Sequence, residues 1–559
     1  MDLEGEGTND RKNRDPHREQ VWLWILAVAV VLVAFALRVP LLTTVPPGVH
    51  YDEAVNGIAS WEIARGDALP IFYRAYAGRE VLFYYQAAVL MKLIGATLFA
   101  LRLTAAWVGV VTVAVTYALV REGFGTDIKI GRWLALGSAA LMAVSFWHVL
   151  CSRVGFRAIT QPLLEALTVL FLWRGERRGQ WADWGLAGLF CGLTAYTYLA
   201  ARAFPFVLLV LLSGLLIGQR HRWRQYVPRV LLFILVAAAV FAPLGIYFLR
   251  HPQAFSVRMG QTWVFSPEVH KGNIWKALGE ATLKALGMFT VRGHYDWIYN
   301  IPYKPVFGPL LGACFYLGLA VSLVRTIRPH REGERRLFIT LLAWLFLMLI
   351  PNILGAREVP HNLRTIGIMP AVFVFSALGL FSFLQVAYRL LGQWKHRPWI
   401  ANYESIRKLV AGPRLVIHHQ AERPKPAEAG YSRAVCRPLP FQPDDLSSGS
   451  RAAGQLPNAL YYLHILIIAA VLLGGGVATA RAYFGQWATT PTLYYTLHGD
   501  LRDLAAWLNG QELNDVDILV AARHYRHPTL GFLAHDYSRI RWLVGNQVLV
   551  IPAPGQEAL

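Results

Sequence analysis

Twelve apolar runs, each approaching the roughly 20 residues that a membrane-spanning helix needs, constrain this 559-residue chain more than any other feature. They run approximately from Val21 to Leu37, Val81 to Phe99, Leu103 to Val120, Trp133 to Leu150 and Ala158 to Trp173, then near 184–199, 203–218, 230–249, 308–324, 337–350, 365–385 and 459–479. Hydrophobic residues make up 55% of the chain and charged ones 16%, against about 25% charged in an ordinary soluble protein. Disorder, a coiled coil and a disulfide scaffold are excluded. Cys151, Cys191, Cys314 and Cys436 lie far apart with no CxxC pair, so neither a zinc site nor a disulfide framework is signalled. The first run is too long for a cleaved signal peptide's apolar region and is expected to stay as an anchor.

The net charge of +20 does not point to nucleic acid, because the basic residues cluster between apolar runs, where cations fix membrane orientation. Arg11, Lys12, Arg14 and Arg18 precede the first run, which places the N-terminus in the cytoplasm and the loop from Arg38 to Arg79 outside. The clusters at 174–178, 220–229 and 325–336 are cytoplasmic by the same bias. Alternation then fails by one, and the simplest repair lays the segment from Glu80 to about Phe99 along the external face. The expected architecture is an all-α polytopic membrane protein with about eleven transmembrane helices, external juxtamembrane helices and a small external α/β C-terminal appendage. Its parts are a cytoplasmic tail (1–20), a membrane core (21–392), a solvated cytoplasmic insertion rich in Arg, Pro and Ser (393–458), with one amphipathic helix near Tyr403 to Val410, a last span (459–480) and the appendage (481–559). In the appendage, Leu501 to Leu508 has a helical pattern; Asp517 to Ala521, Ile540 to Val544 and Val548 to Ile551 are strand-like.

The densest chemical signal lies in the first external loop, Pro46-Pro47-Gly48-Val49-His50-Tyr51-Asp52-Glu53-Ala54, followed by Gly78-Arg79-Glu80. Adjacent carboxylates at the mouth of an apolar bundle are costly unless solvated or used, so Asp52 and Glu53 are the catalytic candidates. Tyr51, Arg79 and Glu80, with Tyr196 and Tyr198 further on, are candidate substrate contacts. Arg153, Arg157, Arg202, His361 and Arg364 all fall at expected external ends of spans. Guanidinium groups converging there suit a phosphate, which they bind by charge-assisted and often bidentate bonds. Trp275, Trp297 and Tyr299 in the long 251–305 loop suit sugar stacking or an interfacial belt, and Glu165 faces the bundle interior. No Gly-rich phosphate loop and no HExxH occur, so cytosolic nucleotide chemistry has no visible site, no cofactor is indicated, and a divalent metal is left open without being signalled.

These motifs, with Ser152-Arg153, Gly155-Phe156-Arg157 and Pro360-His361-Asn362-Leu363-Arg364, resemble bacterial members of the dolichyl-phosphate-mannose protein mannosyltransferase superfamily. That is the C-type glycosyltransferase fold, which includes the aminoarabinose lipid A transferases; the resemblance covers roughly residues 20 to 390. It implies a polyprenyl-phosphate-linked sugar donor, transfer to a lipid, glycan or protein acceptor on the external face of the plasma membrane, inversion at the sugar, and Asp52 as the base. Two departures leave sugar and acceptor open: Ala158-Ile159-Thr160-Gln161 stands where many relatives carry an Asn-Asp pair, and Glu80-Val81-Leu82 where many carry Pro-Pro-Leu. A lipid-linked-sugar flippase, another membrane sugar polymerase or ligase, and an inactive scaffold are the competing classes. A flippase would string ionisable residues along its spans, whereas here they gather at the external ends.

Overall fold

The computed structural model describes residues 16–74, 78–125, 129–260, 263–329, 333–395, 458–513, 516, 518–522 and 526–544. The tail 1–15, nearly all of the 393–458 insertion and the expected strand at Val548–Ile551 lie outside those residues. The chain forms two units, Met1–Ser382 with His464–Leu559, and Phe383–Leu463. The described ends of the second are helical, and all that follows concerns the first.

The helices in chain order are α1 (Pro16–Arg38), α2 (Tyr51–Arg65), α3 (Leu82–Ile94), α4 (Leu98–Gly123), α5 (Lys129–Ala143), α6 (Phe146–Arg153), α7 (Thr160–Arg178), α8 (Trp181–Thr194), α9 (Phe204–Gly218), α10 (Trp223–Arg250), α11 (Pro252–Gly260), α12 (Pro267–His270), α13 (Ile274–Gly287), α14 (Pro309–Ile327), α15 (Glu334–Leu354) and α16 (Met369–Lys395). Eight helices among the described residues are long and apolar enough to cross a membrane, the last being Tyr461–Trp487; α5 and α6, bent by 58° at their junction, make a ninth if taken as one span.

The polytopic all-α class stands, but the count is lower than the eleven read from the sequence. The difference lies mainly in α7 and α8. α7 carries Glu165 and ends in Arg174, Glu176, Arg177 and Arg178, while the 14 residues of α8 cover only about 21 Å at 1.5 Å per residue, short of a hydrocarbon core of roughly 30 Å. α3, with 13 residues, is shorter still. At the α5–α6 break the freed carbonyls of Met142 and Ala143 accept from Arg38 at 3.4 and 2.9 Å, and the same guanidinium lies 2.7 Å from His148 Nδ1. A guanidinium thus does there what the next helical turn would have done.

Two small sheets matter for position. β1 (Phe72–Tyr73) pairs antiparallel with β2 (Arg79–Glu80), Tyr73 opposite Arg79, which fixes Arg79 and Glu80 just before α3. In the C-terminal module β3 (Ile518–Ala522) runs parallel to β4 (Ile540–Val544), with Ile518 opposite Ile540. The Gly499–Asn509 and Pro528–Leu533 helices contribute Ala505, Leu508 and Leu530 to a core with Leu513, Ile518, Val520 and Ile540. The small α/β appendage expected after the last span is present.

Candidate active site

The loop between α1 and α2 is folded around two buried cations. Arg153, at the end of α6, donates to the carbonyls of Leu37, Arg38, Pro40 and Val45 at 2.8–3.2 Å, and its guanidinium stacks on Tyr483 and Phe484. Arg102, from α4, donates to the carbonyls of Leu42, Pro46 and Gly48 and grips both Glu53 carboxylate oxygens at 2.8 and 2.9 Å. Glu53 also accepts from the backbone N–H of Gly155 at 2.8 Å. Two residues expected in the chemistry therefore hold the loop's shape instead. Arg153 satisfies the carbonyls that α1 and the loop leave open, and Glu53 neutralises Arg102.

α2 opens with His50 as its N-cap, Nδ1 accepting from Asp52 N–H at 3.1 Å. The helix aims Asp52 and, one turn on, Asn56 at a cavity of about 540 Å³. Arg79 donates to Asp52 Oδ1 at 2.5 Å and to Asn56 Oδ1 at 3.2 Å, and Asn56 in turn donates to Gly155 O at 2.7 Å. No described residue hydrogen-bonds Oδ2 of Asp52, and the side chain as a whole is 31% exposed. Burial pushes the Asp52 carboxyl up, but Arg79, His50 and Arg157 outweigh it and hold the group below its ordinary value. Asp52 is a carboxylate with one oxygen fixed and the other available.

The cavity wall carries Arg79, Arg157, Arg202 and Arg364 against the carboxylates Asp52 and Glu358. Arg157 binds Glu80 through Nε at 3.3 Å and stacks over Tyr198. Its Nη2 is buried without a hydrogen-bond partner. Burial works against the Arg157 charge, but Tyr84, Glu80, Tyr198 and Asp52 raise its pKa above the ordinary value, so it is a fixed cation. Arg202 donates to Phe255 O at 2.8 Å with Glu80 4.0 Å away, and Arg364 donates to Gly355 O at 2.6 Å with Glu358 at 3.5 Å.

His361 accepts from Leu363 N–H on Nδ1, which leaves its proton on Nε2, 3.8 Å from Glu358. The turn it belongs to is clamped by the long 251–305 loop. His294 Nδ1 donates to Pro360 O at 2.8 Å and Asn362 Nδ2 to Tyr299 O at 2.8 Å. Burial, then Arg364, push His294 down to about 4, so the ring is neutral and its single proton is the one given to Pro360.

Of the residues singled out in the sequence, Asp52, Arg79, Arg157, Tyr198, Arg202, His361 and Arg364 line one cavity. Glu80 lies behind the wall, ion-paired to Arg157 and near Arg202. Tyr51 packs edge-on against His527, outside the cavity lining. Tyr196, expected to touch substrate, is spent elsewhere: its hydroxyl donates to Val240 O and accepts from Leu244 N–H, wedged beside Pro243 between two groups that an unbroken α10 would pair. Trp275 is 81% exposed and Trp297 only offers its carbonyl to Trp487, so neither faces the cavity, whereas Tyr299 does. Sequence reasoning missed Asn56, Trp263 and Glu358. Asn56 was findable, since it lies four residues after Asp52 on the same helix face.

Residues 80–247 match the family described as dolichyl-phosphate-mannose-protein mannosyltransferase. No curated protein matches the sequence. Among solved structures, apo ArnT from Cupriavidus metallidurans is similar with a TM-score of 0.52 at 16% identity, over 95% of this chain and 87% of that one. The oligosaccharyltransferase AglB from Archaeoglobus fulgidus, solved with an inhibitory peptide and a dolichol-phosphate, gives 0.52 at 13% identity, over 92% of this chain and 64% of that one. At such identities the likeness is one of fold. The family match is confined to 80–247, the stretch whose helices deliver Arg102, Arg153, Arg157 and Arg202, and it is this part of the chain that is similar to the dolichyl-phosphate-mannose-protein mannosyltransferase family.

Proposed function

We propose that this protein is a membrane glycosyltransferase that moves a sugar from a polyprenyl-phosphate carrier to an acceptor hydroxyl on a lipid, glycan or protein. The observation that carries the reading is the Arg157 guanidinium, only 6% exposed and with a buried, unbonded Nη2, on a residue that lines the same cavity as the ionised Asp52. A buried donor left unsatisfied is costly, and a phosphate oxygen supplies the missing partner. Arg202, Arg364 and His361 Nε2–H complete the anion site.

In the transfer, the acceptor oxygen attacks the anomeric carbon as the carbon–oxygen bond to phosphate breaks. Asp52 Oδ2 takes the acceptor proton while the released phosphate keeps the bonding pair, its negative charge matched by the arginines. A lipid phosphate is a weak base, so its departure calls for positive charge more than for a general acid, and one carboxylate suffices. A single displacement of this kind inverts the sugar. The family match and the dolichol-phosphate of AglB support the class of donor. The Lys and Arg bias supports a cytoplasmic N-terminus with the cavity and the C-terminal module outside.

The test is donor binding. Arg157→Leu should weaken the affinity for a polyprenyl-phosphate sugar by about 1.5–3 kcal/mol, the scale of a hydrogen bond to a charged group, with Arg157→Lys recovering only part because it lacks the planar fork. Titration of purified variants in detergent reads this directly. Unchanged affinity in folded variants of both Arg157 and Arg364 would remove the phosphate from this cavity.

A further inference from the structure

We propose that the C-terminal module positions the base, holding α2 in the orientation that keeps Asp52 aimed into the cavity. This rests on the assignment of Asp52 above. Within about ten residues the loop and first turns of α2 face three ways. Asp52 and Asn56 face the cavity, Glu53 faces Arg102, and the remaining side is gripped by residues more than four hundred positions later.

Thr529 donates its hydroxyl to Val49 O at 2.9 Å, a buried bond that fixes the approach to the helix. The ring of His527 meets Tyr51 edge-on at 5.5 Å, and the ring of His498 stacks on the N-cap His50 at 6.2 Å. Two glycines mark how closely the surfaces meet. At Gly48 a side chain would collide with the backbone carbonyl of Leu497, and at Gly57 a Cβ would fall 2.6 Å from the ring of Phe532.

The clamp spans residues 48 to 57, and Asp52 is in the middle of it. A displacement of about 1 Å at a reacting group costs on the order of 10²-fold in rate, so a module that fixes this segment acts on turnover through Asp52 without touching substrate. The donor phosphate residues Arg157, Arg202 and Arg364 belong to other elements and are left in place.

The Gly57–Phe532 contact gives a two-sided test. Gly57→Ala forces a methyl group against the Phe532 ring and should lower kcat by roughly 10- to 100-fold, with donor affinity unchanged. Gly57→Ala combined with Phe532→Leu, which shortens the opposing side chain, should restore most of kcat. Turnover and donor titration would be measured on the full-length protein in detergent, with the Arg157→Leu variant alongside. Wild-type kcat in Gly57→Ala, or a loss that the second substitution does not relieve, overturns the positioning role. A loss of donor affinity in step with kcat overturns it too, because the whole site has then been disturbed. If the wild-type protein itself transfers no sugar, the glycosyltransferase reading fails first and takes this one with it.

Discussion

Asp52→Asn should lower kcat by roughly 10² to 10⁴ while leaving donor affinity essentially unchanged. The amide preserves the size of the side chain and can still accept from Arg79 through its oxygen, but it cannot take a proton from the acceptor. The charge environment sharpens the expectation. Arg79 at 2.5 Å, together with His50 and Arg157, keeps the carboxyl below its ordinary value in spite of burial. The base form is therefore the one present at neutral pH, and protonation removes it only below the ordinary carboxylate range. The rate should stay flat from about pH 5 to 7 as far as Asp52 is concerned. An acid limb centred near the ordinary histidine value, about 6.5, would transfer the role to an imidazole. Near-normal turnover in the Asn variant would end the assignment of Asp52 as base.

Glu53→Ala should destabilise the folded protein by about 3–5 kcal/mol, the cost of stripping one partner from a buried ion pair. Both Glu53 oxygens are committed to Arg102, which is fully buried, and the same carboxylate receives the Gly155 N–H. Without it a guanidinium is left among carbonyl groups with no countercharge. The expected readout is a large fall in the thermal midpoint in detergent, or failure to recover monodisperse protein. Pairing it with Arg102→Met should return part of the loss, since the uncompensated charge goes as well. If Glu53→Gln instead gives a normally stable protein with no turnover, Glu53 is a chemical group after all.

The neighbouring carboxylates show how far the sequence could be read. Composition and loop position draw attention to Asp52 and Glu53 together, but which one faces the cavity depends on the 100° turn between successive helical residues and on what each face meets. Arg102 lies in the short gap between two apolar runs and gave no local sign that it would claim Glu53. The same holds for Arg153. An arginine at the end of a span reads equally as a phosphate ligand or as a brace, and only the four open carbonyls around it decide. Tyr196 was misjudged because the need it serves arises at Pro243, on another helix. The apolar runs themselves were legible, since hydrophobic length is a local property. Their number was overread because run length ignores where a helix stops and which charges it carries, as in the 14-residue α8 and in α7 with Glu165 and its charged last turns.

The loop between α1 and α2 has no scaffold of its own near its start. Its carbonyls close around Arg102 and Arg153, and Val49 is tied to Thr529. Chains are made from the N-terminus onward at roughly 5–20 residues per second, so the loop is delivered early and must wait for three later arrivals. Position 529 emerges some tens of seconds after position 49 at those speeds. A ribosome stalled or a chain cut short between Trp487 and the Pro528–Leu533 helix would leave every membrane helix among the described residues inserted and the loop without its last tie. Closure of this loop is thus timed by the translation of residues some 480 positions later, and insertion into the bilayer does not by itself complete it.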